Sequence, residues 1–496
     1  MRSAYGNLIS TAQDSLPRIV LDLRNSNRGN DPRLGGGSVV GQHLEEDSLM
    51  LKRNSLILVG LLIALVALVA AGCGGSGGGS SAPEALPSSS CTAIEYTGDG
   101  SPDYLIVSDL PMQGASRTQT VQIVDAIRFV LKQAGSKAGD YNIGFQSCDD
   151  ATAQAGKWDS GKCSQNANSY AGNDKLVGVI GTFNSGCAAI IIPVLNQAPN
   201  GGIAMLSPAN TLVCLTQASL ACDKTEPDKY YPSGTRNYAR VVPHDAYQGA
   251  SVAEFMQSVS VKKLFILNDK EPYGLGVATN VRNAAEFLGI EIAGFDAFDP
   301  KASSYEALYK KIQATGADAV FIGALIDENG AQLIKDKVAV LGPNDGAVKL
   351  FVPDGFFLQG TIDGAGPASA GMFASVAGQP IEKFVGTAKE FADSFSKEYM
   401  KGGAIDPYAI YGAQAATVLL DAIAASDGSR SDVITKMFAT TVKDGLLGSF
   451  TFNANGDPAK ASGAVVAFTV AKAADTFETV AVISPKPATV AAASGD

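Results

Sequence analysis

Histidine is nearly missing from this chain of 496 residues: His43 and His244 are the only two. Ser-His-Asp and Cys-His catalysis and most zinc sites need histidine close to other ligands, which leaves everything to one residue in the loop Pro243-His244-Asp245. No Cys-x-x-Cys occurs, so the usual zinc and dithiol signatures are absent as well. Basic residues are outnumbered, 38 Lys and Arg against 49 Asp and Glu, for a net charge of −11. A surface of that sign repels a phosphate backbone and excludes nucleic acid as a partner. No Gly-x-Ser-x-Gly elbow joins a strand to a helix, and the paired acids Asp149-Asp150 lack facing partners, which argues against an extracytoplasmic hydrolase. The turn Tyr273-Gly274-Leu275-Gly276-Val277-Ala278-Thr279 has the outline of a dinucleotide fingerprint but not its third glycine. The chain is expected to be no enzyme and to hold neither metal nor cofactor.

What is there begins with an export signal. From Met50 a Lys-Arg pair precedes the apolar run Leu56–Ala71, which ends in Ala70-Ala71-Gly72-Cys73. A basic start, an apolar middle and a small-residue exit make residues 50–73 a secretory signal. The cysteine directly after the small residues resembles the lipobox of bacterial lipoproteins, with Cys73 as the lipidated residue, although Ala70 replaces the usual leucine. A short transmembrane helix is the competing reading, but the run falls below the roughly 20 residues needed to span. Both readings put the remainder outside the cytoplasm. Residues 1–49, of mixed charge and no periodicity, are expected to be disordered or an over-extension upstream of a start at Met50. Residues 74–101, rich in Gly, Ser and Pro, read as a flexible tether.

Of the seven cysteines, the six after Cys73 form an even set, which in an exported protein favours disulfides. Cys214 and Cys222 flank a polar loop and make the first pair. Cys163 with Cys187 comes second, leaving Cys91 with Cys148, and exchange among these four stays open.

From Tyr104 onward, short β-branched runs alternate with amphipathic stretches. Strands are predicted at Tyr104–Asp109, Tyr141–Cys148, Leu176–Gly181, Ile203–Ser207 and Ala239–Val242, then at Lys263–Asn268, Glu291–Phe298, Ala319–Gly323, Leu350–Pro353 and Met372–Val376. Three helical segments and a strand pair, Ala464–Val470 with Thr476–Ile483, follow. Alternating β and α means parallel sheets covered on both faces. So many strands divide most simply into two doubly wound parallel-sheet lobes, with a ligand cleft where the strands' carboxyl ends face each other.

Six motifs then occur in one order: Val179 to Gly186, Pro193 to Asn196, Leu206 to Thr211, Lys262 to Gly274, Gly316 to Val320, and Pro353-Asp354-Gly355. Asp406-Pro407-Tyr408 and Leu447 to Phe452 with Gly456-Asp457 extend the series. Over residues 102–484 the series resembles the type 1 periplasmic binding proteins of the leucine/isoleucine/valine-binding kind, receptors of branched-chain amino-acid ABC importers. The resemblance implies three hinge crossings, near Val242–Asp245, Ala377–Ile381 and Gly463–Val466. It implies lobe 1 at 102–242 and 380–462, lobe 2 at 243–379 and 463–486, and a tail at 487–496. It also implies that Ser185, with Ala209 and Thr211, holds a ligand carboxylate, and that Asp354 of the other lobe receives its α-ammonium. Ser185 at a strand-to-helix turn suits an anion on physical grounds, though a plain helix cap would look the same. Tyr273 is expected over the ligand, Asp109 and Gln113 beside the side-chain pocket, and Leu325 stands where relatives carry an aromatic. The expected partners are a small amino-acid-like ligand, a membrane permease complex and, through the lipid, the membrane itself. A ligand-sensing module of the same fold is the alternative function.

Overall fold

The β-branched runs of the sequence are strands because most of them are buried on both faces, and the stretches repeating every three or four residues are the helices that cover them. The structure, a computed structural model, describes residues 82–378, 380–459, 465–470 and 472–495. The signal at 50–73 with Cys73 and the 1–49 extension lie outside the described residues. The first lobe carries β1 (Tyr104–Leu110), α1 (Arg117–Gln133), β2 (Lys137–Ala138), β3 (Tyr141–Asp149), β4 (Ala151–Thr152), β5 (Lys157–Trp158), α2 (Ser160–Ala171), β6 (Leu176–Gly181), α3 (Ser185–Asn196), β7 (Ala204–Ser207) and β8 (Tyr238–Arg240). The second carries α4 (Asp245–Ser258), β9 (Lys263–Asn268), α5 (Pro272–Phe287), β10 (Glu291–Ala297), α6 (Glu306–Thr315), β11 (Ala319–Gly323), α7 (Gly330–Leu341), β12 (Lys349–Val352), α8 (Gln359–Ala365) and β13 (Phe373–Ala377). The chain then returns to the first lobe with α9 (Gly386–Tyr399), α10 (Pro407–Ala424), α11 (Arg430–Ala439) and the hairpin β14 (Thr441–Gly445) with β15 (Gly448–Thr451). It ends on the second with β16 (Val465–Val470), β17 (Phe477–Ile483) and α12 (Pro487–Ser494).

Two sheets result, in the orders β2-β3-β1-β6-β7-β8 and β10-β9-β11-β12-β13-β16-β17. Pairing from β3 to β8 and from β10 to β13 is parallel, and the late pair β16–β17 adds antiparallel at the edge of the second sheet. Each sheet separates two apolar cores, as doubly wound sheets do. On β6 the glycine is a packing necessity: a Cβ at Gly178 would stand 2.7 Å from Leu419 of α10. The cores and all three cystine pairs fall within one compact unit, the makeup of a self-contained folding domain.

The first crossing between the sheets runs from β8 to α4, the second from β13 to α9, and the third from β15 to β16. Gly463 and Ala464, expected in the third, lie outside the described residues. Two segments differ from expectation. Residues 82–101 are not a free tether: Leu86 is buried in the first lobe, its N–H donates to Gln146 Oε1 at 2.8 Å, and Glu95 bridges Phe145 on β3. Residues 487–494 are not a tail but a helix laid on α4 and α5, where Asn280 donates to the Ala493 carbonyl at 2.8 Å. The cystines are Cys91–Cys148, Cys163–Cys187 and Cys214–Cys222.

Candidate interlobe ligand site

In each sheet the strand order reverses beside the first strand, β1 lying between β3 and β6, and β9 between β10 and β11. Loops leaving neighbouring strands diverge there and open a crevice at the strands' carboxyl ends. From lobe 1 the site receives Phe183, Asn184 and Ser185 of the β6–α3 turn, Ala209 after β7, and Tyr408 in the first turn of α10. From lobe 2 it receives Tyr273 in the first turn of α5, Leu325 after β11, and Asp354-Gly355 after β12. All line one cavity of about 20 Å³, room for about one water. The two lobes are therefore closed on each other, and a ligand enters only when they part.

Asp354 is the meeting point. Its Oδ1 accepts from Gln248 Nε2 at 2.8 Å and from the Tyr273 hydroxyl, and its Oδ2 accepts from the Tyr408 hydroxyl at 2.6 Å. The last bond crosses between lobes. An ionised carboxylate has about four lone-pair positions, so one on Oδ2 stays open to a further donor. Burial, followed by the Asp354 charge, holds both phenols well above their usual range, so they remain donors. Asp245, the first residue of α4, is also buried, and burial and then Asp354 raise its pKa well above the carboxylate range.

On the opposite wall, Ser185 is 2% exposed, and its Oγ accepts from Leu212 N–H at 3.4 Å. The first-turn N–H groups of α3 have no partner within the helix and carry the positive end of its dipole. Ala209 is placed by Ser207 Oγ, which accepts from its N–H at 3.1 Å. Thr211 is buried nearby, beyond the residues lining the cavity, with its hydroxyl facing the Asp245 carboxyl and its carbonyl accepting from Asp245 N–H at 2.7 Å. The loop holding Ala209 and Thr211 is fixed by Arg240, which is fully buried and donates to the carbonyls of Asn210 at 2.8 Å and Leu212 at 2.9 Å. Arg240 Nε in turn donates to Asp457 Oδ1 at 2.7 Å. Burial raises the Asp457 pKa, but the Arg240 and His244 charges outweigh it and hold this carboxyl below its usual range. On lobe 2, Asp269 accepts from Glu271 N–H at 2.9 Å and Leu325 N–H at 3.3 Å, fixing the two loops that present Tyr273 and Leu325. Burial pushes its carboxyl up to about 8.

Ser185, Ala209, Tyr273, Leu325 and Asp354 thus come together, whereas Asp109 and Gln113 do not. Asp109 is fully buried inside lobe 1, where its Oδ1 accepts from Asn166 of α2 at 2.9 Å. Gln113 is turned away to Asp149, donating to Oδ2 at 2.7 Å. Both corrections follow from α2, which covers the end of β1 that the sequence reading left open. Tyr408 and Gln248 were missed. Tyr408 had a signal, because Asp406-Pro407-Tyr408 repeats the acid-Pro-Tyr helix start of Glu271-Pro272-Tyr273.

Comparison with known proteins agrees with this fold. The family model described as periplasmic binding protein matches residues 110–474. A Leu/Ile/Val-binding protein homolog 2 of Brucella abortus (strain 2308) is 25% identical over 373 residues, 74% of this chain and 91% of that protein. The crystal structure of a leucine binding protein, LivK, from Thermotoga maritima superposes with a TM-score of 0.64 at 21% identity, covering 77% of this chain and 99% of that one. An ABC transporter substrate-binding protein from Desulfitobacterium hafniense in complex with Leu gives a TM-score of 0.60 at 21% identity, covering 76% and 99%. With two doubly wound lobes, three crossings and the family match over most of its length, the chain belongs to the periplasmic binding protein family and has its type 1 fold.

Proposed function

We propose that this protein binds an amino acid or a similar small zwitterion between its lobes and delivers it, as a lipid-anchored extracytoplasmic receptor, to an ABC importer. The observation that carries the reading is that Ser185 and Asp354 line one cavity from opposite lobes. The Ser185 hydroxyl and the free N–H groups of α3 take the carboxylate, with Ala209 against it. The open lone pair of Asp354 takes the ammonium, in a charge-assisted bond strengthened by exclusion of water. Phe183 and Leu325 offer apolar contact to the side chain, and the relatives named for leucine, isoleucine and valine support an aliphatic one. Closure follows from differential contact: only when the lobes meet do Asp354 and Ser185 act on the same molecule. Cys73 would carry the lipid, and the three cystines suit an oxidising compartment outside the cytoplasm.

Calorimetry of the unit from Ala82 with leucine, isoleucine and valine tests the reading. Asp354→Asn should weaken binding by roughly thirty-fold or more, the cost of unpairing a buried charge, with the melting temperature little changed. Wild-type affinity in this variant rejects the assignment. Incorporation of labelled palmitate that survives Cys73→Ala would reject the anchor.

A further inference from the structure

We propose a second ligand site on the hinge, built for a small monocarboxylate with an apolar body. A cavity of about 630 Å³ lies against all three crossings, touching Val241 and Pro243 of the first, Gly378 of the second and Pro458 of the third. Small-molecule pockets range over about 300–1,000 Å³, and the interlobe cavity is only about 20 Å³. Its apolar wall is made by Phe384, Val385, Leu446, Leu447 and Phe450. Val385 is 79% exposed, a large aliphatic side chain left without cover at the rim.

The cavity also has polar, positive lining. Gly386, Thr387 and Ala388, the first turn of α9, line it. Val385 before them supplies no side-chain acceptor, the turn contains no acid, and these three N–H groups donate to nothing among the described residues. They form the positive end of a helix dipole. Lys383 lines the same space and makes no ion pair among the described residues. A second, independent feature points the same way. Tyr411 is 4% exposed, lines the cavity, and its hydroxyl has no hydrogen-bond partner among the described residues. The Tyr411 hydroxyl, the helix N–H groups and Lys383 thus face one cavity as donors without protein acceptors among the described residues, the complement a carboxylate calls for. Asp444, on the exposed rim, disfavours a second negative charge and limits the head to one. The apolar wall takes the rest of the molecule.

Octanoate is the probe, titrated calorimetrically into the unit from Ala82 without detergent, alone and with saturating leucine. Octanoate is expected to bind without displacement by leucine, and octanamide, the same body without the charge, to bind at least about tenfold more weakly. Tyr411→Phe should weaken octanoate roughly tenfold, as expected for one hydrogen bond to a charged group. Leu447→Trp fills the cavity and should abolish octanoate binding while leaving leucine affinity unchanged. Lys383→Ala, on an exposed residue, gives a second variant should the tryptophan prevent folding, and should also weaken octanoate. No binding at about 10 mM octanoate, displacement by leucine, or wild-type octanoate affinity in the variants overturns the proposal.

Discussion

Asp327 sits on the second lobe, just after β11, yet it holds the two residues that lead into α1 on the first. Its Oδ1 accepts from Ala115 N–H at 2.9 Å and its Oδ2 from the Ser116 hydroxyl at 2.6 Å. Ser116 is the cap residue of α1, and its hydroxyl makes no capping bond within the helix because it is turned to Asp327 across the cleft. Beside it, Lys157 of lobe 1 pairs with Glu328 and, at 3.6 Å, with Glu271. None of these contacts involves the residues that line the ligand cavity. Asp327→Ala removes two hydrogen bonds to a charged acceptor, each worth about 1.5–3 kcal/mol when buried. Water recovers part of that once the lobes open, leaving roughly 1–3 kcal/mol of lost closure. The closed-to-open ratio should fall about 5- to 150-fold, and apparent ligand affinity should fall by up to that factor, since only the closed state engages both ends of a zwitterion. Calorimetry reads the affinity, and a pair of dyes, one on each lobe, reads the closure. Affinity within twofold of wild type with unchanged dye distance would refute the latch.

Three further outcomes follow from buried groups. Arg240→Met leaves Asp457 and several loop carbonyls without their donor, and should cost about 3–5 kcal/mol in denaturant unfolding; a compensating Asp457→Leu should recover part of it, and a loss under about 1 kcal/mol would argue against the loop being pinned this way. Burial pushes the Asp109 carboxyl up to about 7, against the opposing Asn166 hydrogen bond. A folded-state pKa raised above the unfolded one gives stability that is full below the unfolded value and lost as pH rises through the folded value. The protein should therefore lose up to about 4 kcal/mol between pH 4 and 8 from this group, and Asp109→Asn should flatten that slope in urea titrations. Replacing Cys214 and Cys222 with alanine opens a short loop, a cost of about 2–3 kcal/mol on chain-entropy grounds, read as a lower urea midpoint.

The lobes were legible because their strands are long apolar runs with helical spacing between them, a local pattern that burial on both faces enforces. Ser185 and Asp354 were legible because each stands at a strand end inside a recognisable turn. Asp109 was misplaced because α2, with the sequence Ser-Gly-Lys-Cys-Ser-Gln-Asn-Ala-Asn-Ser-Tyr-Ala, has too weak an apolar stripe to be read as a helix, and only that helix shows which way β1 ends. The helix at 487–494 escaped for a related reason: small residues around much of its circumference leave no amphipathic signal. Tyr408 carried a local signal in its acid-Pro-Tyr helix start, but its place in the site depended on the return of the chain to lobe 1, a long-range event. Gln248 became a partner of Asp354 only because α4 and β12 meet after a separation of 106 residues.

The stapling of residues 82–101 along β3, by Leu86 and by the Cys91–Cys148 bond, decides which half of the molecule is the chassis. Any force applied to the chain ahead of Ala82 reaches lobe 1 first and lobe 2 only through the hinge. Were the chain held from that end, lobe 1 would be the fixed jaw and lobe 2 the one free to swing.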